Sequence, residues 1–111
     1  MLHGPDTHSF MTGSEFQIVL DHVYKELQSL TASKGREYAN SEDQLDNFKR
    51  LAVSLGLSPV QVLLVYLTKH LDSIHSYARN PEHELSEPIE GRIHDAILYL
   101  ILLKALIIDH A

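Results

Sequence analysis

Four groups of polar residues stand out, three of them on helices that are otherwise strongly apolar, and their types and spacing suit a phosphorylated ligand. Near the C-terminal end, Arg92, Asp95 and Tyr99 recur at steps of three and four, so a helix puts them on one face. Upstream, Lys69, Asp72, Ser73 and Ser76 repeat that spacing with His70 beside them, and Asp43, Asn47 and Arg50 mark a third line. The segment Lys34, Arg36, Glu37 and Tyr38 adds two cations, an acid and an aromatic ring. Lysine and arginine take phosphate oxygens, arginine in a bidentate way. A tyrosine stacks on a base, and a carboxylate or Asn47 reads its polar edge. The same charges have a plainer use, with Lys69, Asp72, Arg92 and Asp95 as interhelical ion pairs of little energetic weight.

Other chemistries are missing from the sequence. There is no cysteine, which excludes disulfides, thiolate metal sites and cysteine nucleophiles. The five glycines are scattered, with no Walker-type or dinucleotide-type loop, and no serine sits in a nucleophile elbow. No two of the eight histidines lie three or four apart, so no single helix carries a two-histidine metal site.

The elements that must position these groups read as helices. Residues 1–13 lack periodicity and are expected to be a mobile arm, with 14–111 a single helical domain. Ser14 with Gln17 suggests a capping box for a first helix whose stripe is Phe16, Leu20, Val23, Leu27 and Leu30. That helix is expected to end near Ala32, leaving Ser33 to Asn40 as a polar loop. Ser41 with Gln44 opens a second helix striped by Leu45, Phe48, Leu51, Ala52 and Leu55, with Gly56 as its stop. Ser58-Pro59 starts a third, running to about Arg79 before Asn80-Pro81, with Val60, Leu63, Leu64, Leu67, Leu71, Ile74 and Tyr77 on its apolar side. Ser86 or Glu87 then caps a fourth, with Pro88 in its first turn.

The fourth helix carries three apolar stripes. Ile89, Ile93, Ala96, Leu100, Leu103 and Ile107 form one, Ile97, Ile101 and Ile108 a second, and Leu98, Leu102 and Leu106 a third. A helix apolar all round must be buried all round, and three partner helices of one short chain cover only part of it. The expectation is an all-α, four-helix antiparallel bundle assembled as a homo-oligomer, a dimer or dimer of dimers, through this fourth helix. If the third and fourth helices pack antiparallel, Lys69 to Ser76 faces Glu87 to Asp95 and a mixed-charge pocket forms at that end.

Composition narrows the partners. The 111 residues suffice for one core, and 44% hydrophobic with 22% charged residues is ordinary for a globular domain. A formal net charge of -6 argues against a nucleic-acid polymer but not against a small nucleotide, which one or two cations can hold. The N-terminus lacks the basic start and apolar run of a secretory signal. The greasy segment from Ile89 to Ile108 contains Glu90, Arg92, His94, Asp95 and Lys104, charges that are costly in a bilayer, so it reads as a core helix. A cytoplasmic protein without a membrane partner is expected.

Lys34-Gly-Arg-Glu37-Tyr38-Ala39, then Asn47-Phe48, Lys69-His70, and Ser86-Glu87-Pro-Ile with Asp95 and Tyr99, resemble small phage and prophage proteins of the nucleotide-modification-associated group. That group is distantly similar to MazG-type all-helical nucleotide pyrophosphohydrolases, and the resemblance spans about Lys34 to Ile108. It implies a MazG-like bundle with Lys34, Glu37 and Tyr38 as the group's loop lysine, acid and tyrosine. Lys69 would be its third-helix lysine, Glu87 and Asp95 its fourth-helix acids and Tyr99 the following aromatic. One acid of the pattern falls on Gly91, next to Arg92, which counts against a metal. The pyrophosphohydrolases hold magnesium between paired acids, and the nearest pairs here are Asp43 with Asp46 and Glu87 with Glu90.

Three functions are therefore expected in order. The first is a phage-type accessory protein that sequesters or senses a phosphorylated nucleotide, a cyclic or modified signal being the favoured version. Its ligand-binding residues would be Lys34, Arg36, Tyr38, Asn47, Lys69, Asp72, Arg92 and Tyr99, with no catalytic residue and no cofactor. The second is a magnesium-dependent nucleoside triphosphate pyrophosphohydrolase, with Glu37, Glu87 and Asp95 as metal ligands. The third is an adaptor oligomer without a ligand.

Overall fold

The computed structural model describes residues 10–38, 43–82 and 88–110, with side chains described for all of these but 33–38 and 110. They form four helices: α1 (Gly13–Tyr38), α2 (Asp46–Leu55), α3 (Pro59–Arg79) and α4 (Ile89–His110). No strand occurs among the described residues, and the all-α class is as expected.

The start and end of α1 differ from the sequence expectation. Thr12 Oγ1 accepts from the Glu15 N–H at 3.1 Å, and Glu15 Oε1 accepts from the Thr12 N–H at 2.9 Å. The capping box is therefore Thr12 with Glu15, not Ser14 with Gln17, whose side chain instead donates to Asp21. A carboxylate at the positive end of the helix dipole is the better reciprocal partner. The helix also continues through Tyr38, beyond the expected stop near Ala32, so the first part of the expected polar loop is helical. Gly35 alone costs about 1 kcal/mol of helix propensity, too little to end a long helix. Along α1, Val19, Val23, Leu27 and Leu30 are half-buried, whereas Phe16 and Leu20 of the expected stripe are exposed.

Asp43 organises the entry to α2, its Oδ1 accepting from the Leu45 N–H at 2.9 Å. The expected box partner Ser41 lies outside the described residues. At the far end Gly56 has φ 70°, and its N–H and that of Leu57 both reach the Ala52 carbonyl. This left-handed cap, open to glycine without strain, turns the chain by 103° into α3. Ser58 then caps α3 in a full box with Gln61, with Pro59 in the first turn, as its sequence suggested.

One core is built from three helices. Leu45, Phe48 and Ala52 come from the α2 region, Val62, Leu63 and Leu67 from α3, and Ala96, Tyr99 and Leu106 from α4. The buried side of α3 also includes His70, while Leu64 and Leu71, expected inside, are exposed. On the buried side Val62, Leu63 and Leu67 join Leu45, Phe48 and Ala52 of the α2 region in one cluster. No described residue of α1 joins this cluster. Instead, α1 lies along another side of α4, where His22 meets His94 with ring centroids 6.0 Å apart. Leu98, one turn beyond His94, is buried outside the main cluster.

No single helix is long and apolar enough to cross a membrane among the described residues. The faces of α4 divide cleanly. Asp95, Tyr99, Leu102 and Leu106 form the seam towards the core, and His94 and Leu98 the side towards α1. Ile93, Leu100, Ile101, Ile107 and Ile108 remain exposed.

Candidate functional site

At one level of the core, aromatic side chains from α2, α3 and α4 meet. Phe48, Tyr66 and Tyr99 form a triangle of edge-on rings, with centroids 5.8 to 6.4 Å apart. His70, one turn after Tyr66, stacks on Tyr99 at 5.2 Å with 26° between the planes. Antiparallel packing of α3 and α4 brings these residues level, because His70 lies nine residues before the end of α3 and Tyr99 ten after the start of α4. Beside them opens a cavity of about 470 Å³ lined by Val65, Tyr66, Lys69, His70 and Tyr99. That volume falls within the range that takes small organic ligands.

His70 is buried, and so is Asp95, whose Oδ2 stands 3.7 Å from His70 Nδ1. The separation suits an ion pair and is long for a hydrogen bond. The cavity thus offers the part-exposed Tyr66 ring to a planar group, with the buried, mutually stacked Tyr99 and His70 behind it. Lys69, exposed on the same wall, offers a cation for an anionic one.

The ligand residues expected from sequence are distributed unevenly. Lys69 and Tyr99 line the cavity together. Asp72 is exposed one turn along from Lys69, and Arg92 is half-buried one turn before Asp95. Asn47 lies on α2, where its Oδ1 accepts from Arg50 Nη2 at 2.7 Å. The side chains of Lys34, Arg36, Glu37 and Tyr38 lie outside the described residues, as does Glu87. Of the magnesium set, only Asp95 is described, and it faces His70. Among the described residues no group of three or more histidine, aspartate or glutamate side chains is arranged to hold a metal ion.

Tyr66 and Val65 are wall residues that the sequence reading did not name, and His70 entered it only beside the polar ridge and in the Lys69-His70 motif. A signal was present: Tyr66 and His70 are four apart, so they share one face of α3 with Val62. What the spacing could not supply was Tyr99 opposite them.

A second polar arrangement lies elsewhere. Lys49 Nζ is 2.7 Å from Asp43 Oδ2 and 2.9 Å from Asp109 Oδ2, tying the start of α2 to the end of α4. The Lys49 hydrogen bond, with the Leu45 N–H after it, holds the Asp43 carboxyl below its ordinary value. Asp43, with Asp109 after it, holds Lys49 above its own. Asp43 is thus engaged in the framework, through Lys49 and the Leu45 N–H.

Fold and cavity together define an all-helical bundle with an aromatic-walled pocket between two antiparallel helices. No family model matches the chain, and no curated protein or solved structure matches it either.

Proposed function

We propose that this chain binds a phosphorylated nucleotide in the α3–α4 cavity, sequesters or senses it without hydrolysing it, and works as a homo-oligomer joined through α4. The single observation that supports the binding reading is the wall itself: the part-exposed Tyr66 ring, backed by His70 and Tyr99, stands beside the Lys69 ammonium in a cavity of suitable volume. A base needs aromatic contact and a phosphate needs a cation, and this wall supplies both. The motif resemblance to phage nucleotide-modification-associated proteins of MazG-like type points the same way, with Lys69 and Tyr99 common to both arguments. A cyclic or modified nucleotide is the favoured ligand, since its capture needs cations and stacking groups but no metal.

Isothermal titration against a panel of linear, cyclic and modified nucleotides tests the proposal. One ligand class is expected to bind, with Lys69→Gln and Tyr99→Leu each weakening it tenfold or more. A ligand present at 100 times its Kd raises stability by about 2.7 kcal/mol, readable as a melting shift. No binding across the panel overturns the reading. Release of pyrophosphate in the presence of magnesium would replace sequestration by hydrolysis.

A further inference from the structure

No two histidines lie three or four apart in the sequence, so no single helix carries a histidine pair, but the fold makes one between helices. His22 on α1 and His94 on α4 meet with ring centroids 6.0 Å apart and 56° between the ring planes. Two imidazoles that share one zinc ion, with bonds of about 2.0–2.1 Å, stand with their centroids about 5 Å apart. A closure of about 1 Å therefore brings both rings onto one ion. His22 is exposed and His94 half-buried, so side-chain torsions can supply that movement without disturbing the core.

We infer that His22 and His94 form a divalent transition-metal site that clips α1 to α4, with zinc, nickel or copper as the class of ion. Imidazole nitrogen suits these cations, whereas magnesium and calcium call for oxygen ligands. No group of three or more histidine or acidic side chains is arranged around an ion among the described residues, so water completes the shell. The exposed charges within one turn of the two histidines are Asp21, Lys25, Glu26 and Glu90, three acids to one base, a surrounding that attracts a cation. The site is separate from the α3–α4 cavity, whose wall includes neither histidine. It also has a helix to hold. No described residue of α1 joins the core cluster, and Val19, Val23, Leu27 and Leu30 are only half-buried. An ion that binds only when the two helices are together stabilises their docking by mass action.

Isothermal titration of the full chain with zinc chloride at neutral pH, where imidazole nitrogens are available as ligands, tests the site. Hydrogen exchange along α1 is recorded alongside. One zinc ion is expected to bind at the pair, and exchange from Val19 to Leu30 should slow on binding. His22→Ala and His94→Ala, neither in the core cluster, should each weaken binding tenfold or more and remove the slowing, while circular dichroism stays helical. His75→Ala, at an exposed histidine of α3, should change neither readout. Absence of zinc binding overturns the inference, as does binding that survives both substitutions or leaves exchange in α1 unchanged. Equal binding of magnesium chloride would assign the ion to carboxylates and overturn it too.

Discussion

His70 and Asp95 face one another across the α3–α4 seam, Nδ1 to Oδ2 at 3.7 Å, with their side chains only 7% and 8% exposed. Burying a carboxylate is costly unless a charge or hydrogen-bond partner meets it, so each member of this pair makes the other tolerable in the seam. Asp95→Ala should remove the carboxylate that faces the His70 imidazole and lower stability by about 1–3 kcal/mol. His70→Phe should also destabilise, although it preserves a ring against Tyr99. Urea denaturation reads both; an unchanged midpoint for either would show the pair to be incidental.

Phe48 is the hub of the core. It is fully buried and touches the rings of both Tyr66 and Tyr99. Phe48→Ala should cost about 3–5 kcal/mol, because the rings around it cannot close the space completely. The same variant should loosen the cavity wall, seen as a change in tyrosine fluorescence before unfolding begins.

The Asp43–Lys49–Asp109 clamp predicts a pH dependence with a definite sign. Asp43 is held below its ordinary 3.8, so its contribution is present above that value and fades as pH falls through the folded-state value. Lys49 is held above its ordinary 10.5, so its contribution is complete below 10.5 and fades as pH rises through the folded-state value. The difference in urea midpoint between wild type and Lys49→Met should therefore be largest between these limits and shrink at both extremes. Hydrogen exchange at Leu106 to Asp109 should quicken in the variant, since the clamp holds the end of α4.

Local signals at the α2–α3 corner are separately testable. Gly56 has open space where a Cβ would stand, so Gly56→Ala should cost only its left-handed strain, about 1–2 kcal/mol. Ser58→Ala removes the cap acceptor for Gln61 N–H and should cost about 1 kcal/mol. Thermal melts of the two variants check both values, and a neutral Gly56→Ala would mean the corner adjusts its φ.

The elements with strong punctuation were legible in advance. Gly56, Ser58-Pro59 and Asn80-Pro81 are backbone constraints carried by single residues, and the boundaries of α3 follow from them. The start and end of α1 were less legible. Thr12-Glu15 and Ser14-Gln17 both fit the capping pattern, and SKGREY contains no residue that forbids a helix. The cavity was half legible: Lys69 and Tyr99, with His70 beside the first, stood out as polar groups on apolar helices, while Tyr66 and Val65 looked like ordinary members of theirs.

Four helical segments, their most sharply marked ends and the surplus of apolar surface on α4 were all written in the chain, because periodicity and caps act over a few residues. Which of several apolar faces turned inward was a matter of packing. That choice depends on residues far apart in the chain: Val62 and His70 were buried while Leu64 and Leu71 were left outside. Packing also set Tyr99 against His70, a meeting across a connection whose length can be counted but whose register no local signal specifies.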